Sequence, residues 1–171
     1  YAVPGEAPRH YIDLDKYGRY PWPDLPRKWA DAVNRFTEDT LNAHGTVPWW
    51  VNTMYYRLVE AFKQKDAARI LKMSAEIGHY ISDAHVPLHA SSNHNGQHSN
   101  QHGIHGFWES RLPELFADNR YDFFIGRAAY IESPGKFIWD RVMESGAAAD
   151  SVLRLEAELS AQFAPDRKYA Y

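Results

Sequence analysis

Residues 67–90 read AARILKMSAEIGHYISDAHVPLHA, and how this stretch is wound decides the fold. Apolar side chains recur at Ile70, Met73, Ile77, Ile81, Ala84 and Leu88, the period of an amphipathic helix. Asp66, just before the stretch, is an expected N-cap whose carboxylate can accept the first unpaired N–H groups. With His79 set at zero on a wheel of about 100° per residue, the apolar stripe centres near ~160° and Asp83 lies near ~40°. His79 and Asp83 therefore share one face, a turn apart and pointing away from the stripe. Pro87 removes a backbone donor and crowds the carbonyl of Asp83, so the helix should kink or end there. That would swing His89 off the regular wheel. His85 falls roughly 200° from Asp83 and is read as structural or supporting.

Working outward, residues 1–28 are rich in Pro, Gly and Tyr, and prolines at 21, 23 and 26 forbid regular helix. They are predicted to form an irregular arm lying over the core. A helix is expected from about Trp29 to Ala43, stopped by His44-Gly45. A second should begin at "TVPWW", with Thr46 as cap and Pro48 in its first turn, and run to about Gln64. Beyond the central helix, residues 91–103 (SSNHNGQHSNQHG) form a polar loop. Further helices are predicted over about Ile104–Ala117 and from Ser133-Pro134 towards Phe163, the last with Gly interruptions. No strand-like alternation and no internal repeat occur. The expectation is an all-α fold: one domain over residues 1–171, a multi-helix bundle with an irregular Pro/Tyr-rich N-terminal arm.

Composition narrows the function classes. Of 171 residues 44% are hydrophobic and 15% aromatic, which suits a globular core rather than disorder. No apolar run reaches the roughly 18 residues of a transmembrane helix. The start, YAVPGEAPRHYID, lacks a signal-peptide layout, so a leader either never existed or has been removed. Cysteine is absent, excluding disulfides, a thiol nucleophile and thiolate zinc sites. The net charge of −3, with no basic stretch, argues against stable binding of duplex DNA. A contact with one or two phosphates stays open.

The chemistry-bearing residues are histidines and carboxylates. His79 and Asp83 alone could be an ordinary solvated pair on a helix face. A second His-x-x-x-acid pair, His105 and Glu109 in "HGFWE", follows soon after. Two such pairs plus His89 make the imidazole and carboxylate set expected of catalytic rather than structural zinc. His94, His98 and His102 lie in the polar loop and are expected to face solvent. His10, in "RHYID", is either packed and hydrogen-bonded or a ligand. Glu76 reads as a solvated carboxylate; Trp49, Trp50 and Phe107 could meet acyl chains or bases, but as helix members they read first as core.

The spacing His79-x-x-x-Asp83-x-x-x-Pro87-Leu88-His89, followed by His105-x-x-x-Glu109, resembles the zinc-dependent phospholipase C and fungal-type single-strand nuclease superfamily. The resemblance extends over roughly residues 8–116, with "RHYID" similar to the segment in which that family places a zinc-binding His. It implies two or three Zn2+ ions, with His10, His79 and Asp83 on one and His89, His105 and Glu109 on a second. Asp83 would also reach a third, bridging metals and activating the bound water. The implied activity is hydrolysis of phosphate esters outside the cytoplasm, in a secreted or periplasmic protein. Glu109 and the short gap between His89 and His105 are more similar to the phospholipase side, which favours a phospholipid head group over single-stranded nucleic acid. The family's N-terminal Trp and His, and an Asp preceding the first zinc-binding His, have no counterpart before His10; Trp29-Ala30-Asp31 lies on the wrong side of it. The chain thus resembles a member lacking its first few dozen residues, and a non-catalytic metal-binding helical domain is the alternative from a different class.

Overall fold

The structure, a computed structural model, describes residues 3–164 and 169. Its regular elements are all helical, and no strand occurs among the described residues. The fold is all-α. The chain divides into two compact units, Tyr1–Ser92 with Ser133–Ala149 and Asn93–Glu132 with Asp150–Tyr171.

In the first unit, α1 (Trp29–Phe36) and α2 (Glu38–His44) replace the single helix expected over 29–43. Thr37 takes a positive φ of 67° and its hydroxyl accepts from the backbone of Thr40, starting a new helix. Glu38 and Asp39 then suit the positive end of that helix. α3 (Val47–Lys63) and α4 (Ala67–Ala84) pack against each other. Asp66 caps α4 by accepting from the Arg69 N–H at 3.0 Å. Thr46 precedes α3 but does not cap it with its side chain. Its N–H and its hydroxyl both donate to the Pro8 carbonyl, at 2.6 and 3.2 Å, fastening the arm instead.

The arm does not merely lie over the core. Ile12, Leu14, Tyr17, Trp22 and Leu25 are buried within it, among Leu41, Trp49, Met54, Tyr80, Ile138 and Val142. The arm also contains two 3-10 turns, Ala7–His10 and Leu14–Tyr17. Gly45 is required where it crosses α2's end: its φ is +88°, and a Cβ there would stand 2.2 Å from the Tyr11 carbonyl oxygen.

α4 ends at Ala84, as Pro87 demands, and a 3-10 turn over Pro87–Ala90 follows. The Ser145 hydroxyl donates to the freed Ala84 carbonyl at 2.8 Å. Ser145 belongs to α7 (Pro134–Ser160), of which residues to Ala149 fall in the first unit. Neither Gly135 nor Gly146 interrupts α7. Gly146 is a packing notch: a Cβ there would stand 2.4 Å from Leu14 and 2.7 Å from Trp22.

In the second unit the helix expected over 104–117 is not uniform. A short α5 (Ile104–Gly106) widens into a π turn over Phe107–Arg111, then continues as α6 (Leu112–Arg120). Pro113 supplies the reason, since its ring would crowd the carbonyl four residues back, at Glu109, and the wider turn relieves this. The polar loop is not wholly exposed. Gln101 is buried and donates to Leu153 O at 2.6 Å and to the Glu156 carboxylate, while Tyr169 donates to Gln101 O. No helix among the described residues is long and apolar enough to cross a membrane.

Candidate metal centre

The face of α4 that turns away from its apolar stripe meets the arm. His10, at the end of the first 3-10 turn, places Nδ1 2.8 Å from Asp83 Oδ2 and 3.1 Å from His79 Nε2. The remaining edge, His79 Nε2 to Asp83 Oδ2, is 3.4 Å. Three ligand atoms thus form a triangle with sides of 2.8, 3.1 and 3.4 Å. A tetrahedral zinc with bonds of about 2.0–2.2 Å spaces its ligands roughly 3.3–3.6 Å apart. The donor set and its spacing therefore suit a divalent ion with a small outward adjustment, and this group could hold one.

Burial is graded across the triangle. The side chains of His10 and Asp83 are 7% and 13% exposed, whereas His79 is 61% exposed. A buried carboxylate and imidazole form the floor, and the third ligand faces solvent.

His89 stands close by, with Nδ1 3.4 Å from Asp83 Oδ1. That nitrogen is 2.8 Å from the His10 carbonyl oxygen, to which it donates, and this fixes the tautomer with its lone pair on Nε2. The His89 carbonyl in turn accepts from the Ile12 N–H at 2.8 Å, so the arm and the 3-10 turn grip each other across the site. In the second unit His105 Nε2 lies 3.3 Å from Glu109 Oε2, and His105 Nδ1 lies 3.3 Å from the His94 carbonyl. In His105 the two ring nitrogens divide the tasks, Nδ1 on a backbone oxygen and Nε2 directed to a carboxylate, whereas in His89 Nδ1 meets both.

Of the other histidines, His94 lies edge-on to His105, with ring centroids 6.0 Å apart. His85 is exposed at the C-terminal end of α4, with Nδ1 bonded to Ile81 O at 2.7 Å. His94, His98 and His102 are exposed. Trp49 and Phe107 are core residues, Trp50 is half-buried, and Glu76 pairs loosely with Lys72 at 3.8 Å.

Sequence reasoning missed Glu6. Its Oε1 lies 3.4 Å from His10 Nε2 and accepts from the Tyr80 hydroxyl, while Oε2 pairs with Arg9 at 2.7 Å. Burial pushes the Glu6 carboxyl up, but the Tyr80 hydrogen bond and the Arg9 guanidinium outweigh it and hold it below the ordinary range. Burial and the same bond push the Tyr80 phenol up. An acid four residues before His10 was the only available signal, and it means nothing until the turn is known to be helical.

No protein-family model matches the chain, and no curated protein or solved structure matches it significantly.

Proposed function

We propose that the protein is a zinc-dependent phosphoric-ester hydrolase. The observation that supports this most is the triangle of His10, His79 and Asp83, with its buried carboxylate and its solvent-facing imidazole. Zinc held there would lower the pKa of a bound water to about 7 and neutralise charge on phosphoryl oxygens. The protein's own residues have distinct tasks. Asp83 supplies negative charge to the floor and faces three imidazoles, those of His10, His79 and His89. The His10 carbonyl holds His89 in the tautomer a metal ligand needs. Glu6 stands against the far side of His10, 3.4 Å from its Nε2. His89, His105 and Glu109 are proposed to supply ligands to further ions, for two or three in all, and Asp83 to bridge between ions.

The resemblance in sequence favours a phosphodiester within a phospholipid head group, with single-stranded nucleic acid as the second reading. The deciding experiment is zinc per chain by elemental analysis, paired with hydrolysis of bis-p-nitrophenyl phosphate by the same sample. Two or more zinc ions with chelator-sensitive turnover support the reading, and phosphatidylcholine is then compared with single-stranded DNA. His79→Ala should strip one zinc and abolish turnover. Full activity with unchanged zinc in that variant would overturn the site assignment, and zinc without turnover in the unaltered protein would favour a non-catalytic metal-binding domain.

A further inference from the structure

A cleft of about 510 Å³ opens beside the metal centre within the first unit, and Glu6 and Tyr80 line it. Its charge is opposite to that of the chain. Arg9, Arg57, Arg69 and Lys72 face Glu6 and Glu76, in a protein of net charge −3.

Among the described residues, two of those cations have no carboxylate partner. Arg57 lies by the ring of Trp50, 5.0 Å from its guanidinium carbon, and Arg69 bonds to the neutral amide of Gln64 at 3.0 Å. Arg9 lies over the same Trp50 ring at 3.7 Å while donating to Glu6. A guanidinium stacked on an aromatic engages its π face and keeps its in-plane N–H donors for another acceptor. Trp50 is half-buried and brings both guanidiniums to one ring. The result is a set of under-neutralised donors around a space large enough for a tetrahedral oxyanion and its water.

We propose that this cleft is a phosphate-binding site separate from the metal cluster, with Arg57 and Arg69 as its principal donors. Its ligand is a phosphate group, either free inorganic phosphate or a second phosphate on a substrate held at the cluster. The second source rests on the hydrolase reading; the first does not.

The test uses the full chain stripped of zinc with a chelator, so that any binding is independent of metal and of turnover. Inorganic phosphate is titrated calorimetrically at low salt. Binding should weaken about tenfold in Arg57→Ala and in Arg69→Ala, the usual loss for a hydrogen bond to a charged group. Arg57→Lys should retain part of it, and added salt should weaken it. Both arginines are exposed, and circular dichroism checks that the variants fold. His79→Ala should leave the binding unchanged. Absence of binding, equal binding in the Arg57→Ala/Arg69→Ala double variant, or loss in His79→Ala instead would overturn the proposal. With zinc restored, the two sources separate. A raised KM in the double variant only for diesters carrying a second phosphate identifies a substrate group, and unchanged KM for both identifies free phosphate. Failure of the titration leaves the hydrolase reading intact, and phosphate binding without hydrolysis leaves the cleft intact.

Discussion

Two glycines on different helices should respond to the same substitution with opposite signs. Gly146, inside α7, faces the arm: a Cβ there would lie 2.4 Å from Leu14 Cδ1 and 2.7 Å from the Trp22 ring. Carbon atoms prefer separations of about 3.5–4.0 Å, so the overlap is roughly an ångström or more. Leu14 has no exposed surface and Trp22 keeps 7%, so neither can swing into solvent. Overpacking of this kind costs about 1–3 kcal/mol, against a helix-propensity gain of about 1 kcal/mol for Ala over Gly. Gly146→Ala should therefore lose about 1 kcal/mol. Gly78, on α4, has nothing within 4 Å of such a Cβ, so Gly78→Ala should collect the propensity gain alone. The difference of about 2 kcal/mol corresponds to roughly 4–8 °C in Tm for a chain of this size. Urea and thermal unfolding followed by circular dichroism, both in chelator, measure it. If both variants are stabilised equally, Leu14 and Trp22 do not sit on α7, and the placement of the arm that carries His10 is wrong.

Gly45→Ala forces an L-residue into a φ of +88° and its Cβ onto the Tyr11 carbonyl, so it should cost more than about 2 kcal/mol and loosen the arm. Limited proteolysis should then cut within residues 5–25 faster than in the unaltered protein. The buried Tyr17 hydroxyl has no hydrogen-bond partner among the described residues, and burial, with Asp13 and Tyr11 adding to it, pushes its phenol well above the ordinary value. A folded-state pKa above the unfolded value of about 10 gives stability that is complete below pH ~10 and lost as pH rises past it. Tyr17→Phe should thus be close to neutral at pH 7 and flatten the alkaline fall in urea midpoint; an unchanged fall would refute the assignment. Zinc added to the chelated protein should raise stability by about 2.7 kcal/mol at a hundredfold excess over Kd. Asp83→Ala should lose most of that gain, read as the zinc-dependent shift in Tm.

The parts of the fold legible in the sequence are those where local chemistry decides. The recurrence from Ile70 to Leu88, the Asp66 cap and the stop before Pro87 each follow from neighbours within a turn or two. The break at Thr37 is less legible, because the apolar pattern runs through it and only the backbone's positive φ separates α1 from α2. The arm offers no period at all, so nothing in YIDLDKYGRYPWPDL announces that Ile12, Leu14 and Trp22 are enclosed. The candidate site divides in the same way. His79 and Asp83 share a face by helix geometry alone. His10 reaches them across 69 and 73 residues, a juxtaposition that spacing cannot reveal and only the family resemblance suggested. Glu6 and the arginine-flanked Trp50 carried no motif, since their significance comes from what the folded arm places beside them.

The reach of His10 to Asp83 has a consequence for a chain without cysteine. An ion gripped by both would tie the arm to α4 as a cross-link tied across 73 residues of chain. By the loop-entropy argument used for disulfides, a closure of that length restricts the unfolded chain by about 4 kcal/mol. Unlike a disulfide, such a staple answers to metal supply and proton concentration rather than to redox poise. It would hold in a reducing compartment and an oxidising one alike, and release when the ligands are protonated or the metal is taken away.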